Sequence, residues 1–288
     1  MAQPSVPNVI KLMRLAFAVL GVIVPPVAVA WAYKIWFRSP RGKVPKREIA
    51  WGGQARKILI YSQFGRVMTY HWGDGDRPRV FLVHGWSGRG LQLGAFAGPL
   101  VEAGYSVTSF DAPGHGESDG HATSIFQIAE VLRQIVLEAK QPHAIIAHSF
   151  GCMVSAYALR NYQLGIHKLV AISSPTIPQY LIEGFVETFQ FNSRVTDGFI
   201  AELKKEFGTD VFERISADKN LEDWSGELLV IHDKDDAIVH WQHGEQLAQA
   251  CKQGTTLYTH SLGHRRILGD REVISASVNF ISHPIAQD

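Results

Sequence analysis

The chain has 288 residues, with 28 Lys and Arg against 27 Asp and Glu and a formal net charge of +1. That length suits one large α/β domain with a well-buried core, and the near-neutral balance excludes the basic footprint of a nucleic-acid binder. Two cysteines, Cys152 and Cys251, exclude a disulfide framework.

Residues 15–37 read LAFAVLGVIVPPVAVAWAYKIWF, with Lys34 their only charge. A run of that length crosses a bilayer, Pro25-Pro26 would kink it as membrane helices tolerate, and Trp31, Tyr33 and Trp36 suit the headgroup boundary. The expectation is an N-terminal transmembrane helix within an anchor over residues 1–38, spanning about 15–37. Lys11 and Arg14 precede the span, whereas Lys34, Arg38, Arg41, Lys43, Lys46 and Arg47 follow it. By the charge bias the chain is then a single-pass protein of the cell membrane with its main body in the cytoplasm. Two other readings stand beside this one. The segment is a secretory signal cleaved near Ala28-Val29-Ala30, followed by export, or it is a helix packed on the domain.

Residues 39–56 are basic and rich in Gly and Pro, the composition of a linker that is solvated or lies along anionic headgroups. Stretches 57–63 and 66–72 then read as a hairpin. Residues 79–83 form a buried strand running into His84-Gly85-Trp86-Ser87-Gly88. Residues 105–110 form another, closed by the turn-forming stretch Asp111-Ala112-Pro113-Gly114-His115-Gly116-Glu117-Ser118. A helix over 124–140 carries Ile125, Ile128, Ala129, Leu132, Ile135 and Val136 on one face. Residues 143–153, HAIIAHSFGCM, are a short apolar strand, a tight turn at Ser149 and the start of a helix. Cys152 there reads as a small buried hydrophobe.

Further strands are expected at 167–173, 227–232 and 255–259, with a terminal helix over 273–281. Strands alternating with helices at this spacing give a mostly parallel sheet with helices on both faces, and sites in such sheets gather at the carboxyl ends of strands. Residues 175–224 are too many for a plain connection, so they read as an inserted helical cap. Its stripe of Leu181, Phe185 and Phe189, with Ile182 and Val186 beside it, either packs the cap or contacts substrate.

The turn at Ser149 follows G-x-S-x-G with Ala147 in place of the first glycine. A serine hydroxyl needs a base within reach, and the base needs an acid to fix its tautomer. His264, in Ser261-Leu262-Gly263-His264, is the expected base, with His260 its rival. The acid follows the strand at 227–232. Asp236 is the first choice, with Asp233 and Asp235 as alternatives because aspartates also build turns. Charge on a carbonyl oxygen needs donors already in place, which the backbone N–H groups of Phe150 and Trp86 are positioned to supply. His84 and His115 read as braces for loops, and His148, beside Ser149, as a packing or hydrogen-bonding residue. His232, Asp233, His240 and His243 make only a loose cluster without metal-ligand spacing, so neither a metal nor a cofactor is expected.

The segments VHGWSG, DAPGHGES, AHSFG, IHDKDDAIV and GHRRIL succeed one another in this order. Together they resemble the α/β-hydrolase superfamily over about residues 57–282, and the last two are similar to a bacterial group of hydrolases with no settled substrate. The resemblance implies the α/β-hydrolase fold: an eight-stranded, mostly parallel sheet, a core over 57–174 and 225–288, and a cap at 175–224 inserted after strand six. It also implies Ser149 as nucleophile, His264 as base, Asp236 as acid, and the Trp86 and Phe150 amides as oxyanion hole. The expected activity is cleavage of a small-molecule acyl ester or thioester through an acyl-enzyme. An acyltransferase using the same triad and a non-catalytic, membrane-anchored binding protein are the alternatives. Serine at position 149 disfavours the reactions of family members whose nucleophile is aspartate.

Overall fold

The computed structural model describes residues 6–284, so the first five residues of the expected anchor and residues 285–288 of the expected core lie outside the described residues. In chain order the first elements are α1 (Asn8–Ile23), α2 (Pro25–Trp36), α3 (Lys46–Gln54), β1 (Arg56–Ser62), β2 (Gly65–Trp72) and β3 (Arg79–Val83). Next come α4 (Ala97–Glu102), β4 (Ser106–Phe110), α5 (Ile125–Leu137), β5 (Pro142–His148), α6 (Phe150–Asn161) and β6 (Lys168–Ile172). The helices α7 (Pro178–Phe189), α8 (Ser193–Phe207), α9 (Val211–Arg214) and α10 (Ala217–Leu221) come after them. The chain then runs through β7 (Glu227–Asp233), α11 (Trp241–Ala250), β8 (Gln253–Thr259), α12 (Gly263–Arg266) and α13 (Arg271–Ser282).

These elements form two compact units. The larger runs from Ser39 to Thr176 and again from Ile215 onward. Its eight strands make one sheet in the order β1-β2-β4-β3-β5-β6-β7-β8. β2 pairs antiparallel with both β1 and β4, and every later pairing is parallel. Successive strand residues face opposite sides of a sheet. In β5 both Ile145 and Ile146 are fully buried, so helices and loops cover the sheet on both faces. That is why the central strands read as unbroken apolar runs rather than as alternating patterns. α5 begins at a capping box, in which the Ser124 side chain accepts from the Gln127 amide and the Gln127 side chain accepts from the Ser124 amide.

The smaller unit contains α1, α2 and the stretch Ile177–Arg214. Its core is Phe17, Ala28, Ala32, Ile182, Phe189, Phe191, Val195 and Phe199, with Phe185 and Val186 packed against them. Ile182, Phe185, Val186 and Phe189 of the apolar α7 face are therefore used for packing within this unit.

The expected transmembrane helix over 15–37 is corrected by this unit. The stretch is two helices, because Pro25 brings no N–H and disfavours helical geometry at the residue before it. Val24 accordingly leaves the helix, at φ −141 and ψ 66, and Pro25 opens α2 at its first position. Helices of 16 and 12 residues are about 24 and 18 Å long, short of the roughly 30 Å of a hydrocarbon core. No helix among the described residues is long and apolar enough to cross a membrane. Part of the apolarity that suggested a span is used against protein: Phe17 stacks on Trp31 and meets Phe189 and Phe191 edge-on.

Candidate active site

Ser149 stands between β5, in the middle of the sheet, and α6. Its backbone has φ 53 and ψ −124, a conformation L-residues rarely adopt, and its N–H donates to the Ile172 carbonyl at the end of β6 at 2.9 Å. The turn is this tight because α6 starts directly over β3. A Cβ on Gly151 would lie 2.5 Å from the Val83 carbonyl oxygen and 2.6 Å from that of His84, so only glycine fits there. Ala147 sits earlier, on the strand itself, paired with Val83 and Ala171, where a methyl group is accommodated and fully buried.

His264 lies on α12, in the loop after β8. Its Nε2 is 3.1 Å from Ser149 Oγ and its Nδ1 is 2.8 Å from Asp236 Oδ2. An ionised carboxylate only accepts, so Nδ1 carries the proton and Nε2 accepts from the serine hydroxyl. The other oxygen of Asp236 accepts the N–H groups of Ile238 at 2.8 Å and Val239 at 3.0 Å. Burial alone would raise this carboxyl. The hydrogen bond and charge of His264, with the two amides, outweigh it and hold Asp236 below the ordinary carboxylate value.

The three aspartates that the sequence left in competition divide the work around β7. Asp236 meets His264. Asp233 Oδ2 accepts the Leu262 N–H at 3.0 Å and the Thr259 hydroxyl at 2.7 Å, and Asp235 Oδ2 accepts the Ser261 N–H at 2.8 Å. Asp233 and Asp235 thus pin the loop that presents His264. His260 is exposed and faces Asp235 instead.

His148 adds a contact that sequence reading did not assign. Its Nε2–H donates to the His264 carbonyl at 2.8 Å, so the residue before Ser149 tethers the main chain at His264. Burial, reinforced by the nearness of His264, pushes His148 down to about 3, so the ring is neutral. His232, behind Asp236, donates from Nε2–H to the Val239 carbonyl at 2.9 Å, and burial lowers its pKa. Among the described residues no group of three or more His, Cys, Asp or Glu is arranged to hold a metal ion.

The loop after β3 is braced by the loop after β4. His84 Nδ1–H donates to the Gly85 carbonyl, which leaves Nε2 to accept the Ala112 N–H at 3.0 Å, and burial lowers this histidine to about 4. His115 Nδ1–H donates to the Pro113 carbonyl while Nε2 accepts the Ser87 N–H at 3.1 Å, and burial takes it to about 3. Asp111 accepts the Gly90 N–H, the Glu117 N–H and the Tyr70 hydroxyl at 2.7, 2.7 and 2.9 Å. Held by these bonds, the loop brings the Trp86 ring edge-on to Phe150 at 5.3 Å between centroids. The two residues expected to carry the oxyanion amides are therefore neighbours. The first amides of α6, Phe150 among them, have no acceptor inside the helix.

Comparison with known proteins fits this architecture. A family profile described as the alpha/beta hydrolase fold matches residues 78–209. A probable serine hydrolase of Drosophila melanogaster is 25% identical over 140 residues, 44% of this chain and 41% of that protein. A 2-hydroxy-6-oxononadienedioate/2-hydroxy-6-oxononatrienedioate hydrolase of Escherichia coli O139:H28 is 31% identical over 132 residues, 42% of this chain and 45% of that protein. The curated relatives that lead the matches are thus spanned over only 21% to 45% of their own length. Among solved structures, a bacterial membrane phospholipase A superposes with a TM-score of 0.62 at 17% identity, covering 95% of this chain and 96% of that one. Sheet order, the profile over residues 78–209 and structural likeness agree that the chain has the α/β-hydrolase fold.

Proposed function

We propose that the protein is a serine hydrolase that cleaves carboxylic esters or thioesters through an acyl-enzyme. The observation that carries this reading is the unbroken hydrogen-bond chain from Ser149 through His264 to Asp236, with the serine on a strained turn. Ser149 Oγ attacks the acyl carbon as its proton passes to His264 Nε2, and Asp236 stabilises the imidazolium that forms. The oxyanion is met by the N–H groups of Trp86 and Phe150. Collapse breaks the bond to the alcohol or thiol, which leaves with the proton from Nε2. Water then gives a proton to Nε2 and attacks the acyl carbon, releasing the acid and restoring Ser149. Relatives and neighbours named as a serine hydrolase and a phospholipase lend support to hydrolysis of an acyl bond.

The test is labelling with a fluorophosphonate probe, which traps an activated serine. Wild type is expected to label, while Ser149→Ala and His264→Ala are not. A panel of p-nitrophenyl esters and acyl-CoAs of rising chain length then measures the acyl preference. Folded wild type that fails both to label and to hydrolyse the panel overturns the reading.

A further inference from the structure

We propose that α1 and α2 are a hairpin that docks into one leaflet of an anionic phospholipid bilayer without crossing it. The two helices fold back on each other at Val24. Phe17 and Trp31, at equal distances along the chain from that residue, stack with ring centroids 4.4 Å apart. The inner face is consumed by packing in the smaller unit, where Gly21, Ala28 and Ala32 are buried.

The outer face and the turn are not covered. Leu12, Leu15, Val22 and Ile23 are 67%, 63%, 64% and 72% exposed, with Val24 and Val27 continuing the patch around the bend. A contiguous apolar surface of this kind on a folded protein marks an interaction site, whereas scattered apolar residues do not.

Charge and dimension identify the partner. No charged residue occurs from Leu15 to Tyr33, and the cations Lys11, Arg14, Lys34 and Arg38 sit on the far sides of both arms, which the hairpin brings to one end. The hairpin carries no Asp or Glu; every carboxylate of its unit lies on residues 183–213. Arg14 and Lys34 are each ten residues from Val24. At 1.5 Å per residue that places the cations about 15 Å above the turn, half of a roughly 30 Å hydrocarbon core. An apolar wedge one leaflet deep, with cations at headgroup height on both arms and only Glu202 and Glu206 of α8 near Tyr33, fits an anionic membrane surface. This surface is separate from the catalytic reading and holds whether or not Ser149 reacts.

The full chain is tested by co-sedimentation with phosphatidylcholine vesicles, plain or carrying about 30% phosphatidylglycerol. Wild type is expected to pellet with the anionic vesicles, and Leu15→Asp/Ile23→Asp to lose about tenfold or more in partitioning. Lys11→Glu/Lys34→Glu is expected to weaken anionic binding and leave the small neutral binding unchanged. An N-terminal tag is expected to stay open to protease on the outside of the vesicles, where the body of the protein also lies. Wild type left in the supernatant with both vesicles, or aspartate variants that bind as wild type does, overturns the proposal. A protected N-terminal tag does so by showing a crossing. A dimer broken by Ile23→Asp, without vesicle binding, does so by assigning the face to a second copy.

Discussion

Two carboxylates near the site, Asp236 and Asp111, each accept three hydrogen bonds, and their pKa values move in opposite directions. Asp236 takes two amides and an imidazole, and the imidazole hydrogen bond and its charge pull it down. Asp111 takes two amides and a phenol, and burial raises it despite them. The count of hydrogen bonds is thus a poor guide to the role of a buried acid. Two things separate them: burial weighs more heavily on Asp111, with the charge of Glu117 adding to it, and Asp236 faces a ring that becomes a cation in the proposed reaction, while Asp111 accepts only from neutral donors and holds a loop.

The comparison breaks most visibly on substitution. Asp236→Asn keeps the shape but offers a donor where His264 needs an acceptor, and ester hydrolysis is expected to fall about ten-thousandfold with the fold intact by circular dichroism. Asp111→Ala should show the reverse balance. It strands the Gly90 and Glu117 amides and the Tyr70 hydroxyl, so urea unfolding is expected to show a loss of about 3 kcal/mol, while the activity of the remaining folded protein falls far less. Asp233→Asn lies between them. By loosening the loop under His264 it is expected to lower kcat about tenfold to a hundredfold and leave KM unchanged, as a 1 Å misplacement of a catalytic group does.

Acid sharpens the contrast further. His84, His115 and His148 titrate near 4, 3 and 3 in the folded chain but near 6.5 unfolded. Between those values the unfolded state binds more protons, so the stabilisation is complete above about pH 6.5 and is lost as pH falls through about 4 for His84 and about 3 for His115 and His148. Thermal melts from pH 7 to pH 5 are expected to show the decline, on the order of 1 kcal/mol per histidine per pH unit, and His148→Gln to flatten it. The smallest effect expected is that of Ala147→Gly. It restores the usual glycine of the turn at a position where alanine already fits, changes stability by about 1 kcal/mol or less, and leaves turnover unaltered.

Much of this molecule is legible in its sequence because the pieces concerned are local. The strand runs, the turn at Ser149 and the glycine two residues on are consequences of backbone geometry within a few residues. The choice among Asp233, Asp235 and Asp236 is not legible, since it depends on which oxygen atoms the turn directs at Ile238, Val239, Ser261 and Leu262. The N-terminal stretch misleads for a different reason. Apolarity alone does not tell lipid from protein, and whether Phe17 and Ala32 face acyl chains or Phe189 and Phe199 is decided by residues more than a hundred positions away. Pro25-Pro26 is the available signal; in the sequence it reads as a kink, and in the fold it is a reversal.

The bond from His148 to the His264 carbonyl joins positions 116 apart. During synthesis Ser149 is made well before His264, and a domain generally folds as a unit. A nascent chain therefore carries its serine before it has the histidine proposed as its base. On that reading the hydroxyl gains its base only when β8 joins the edge of the sheet and brings α12 to the turn.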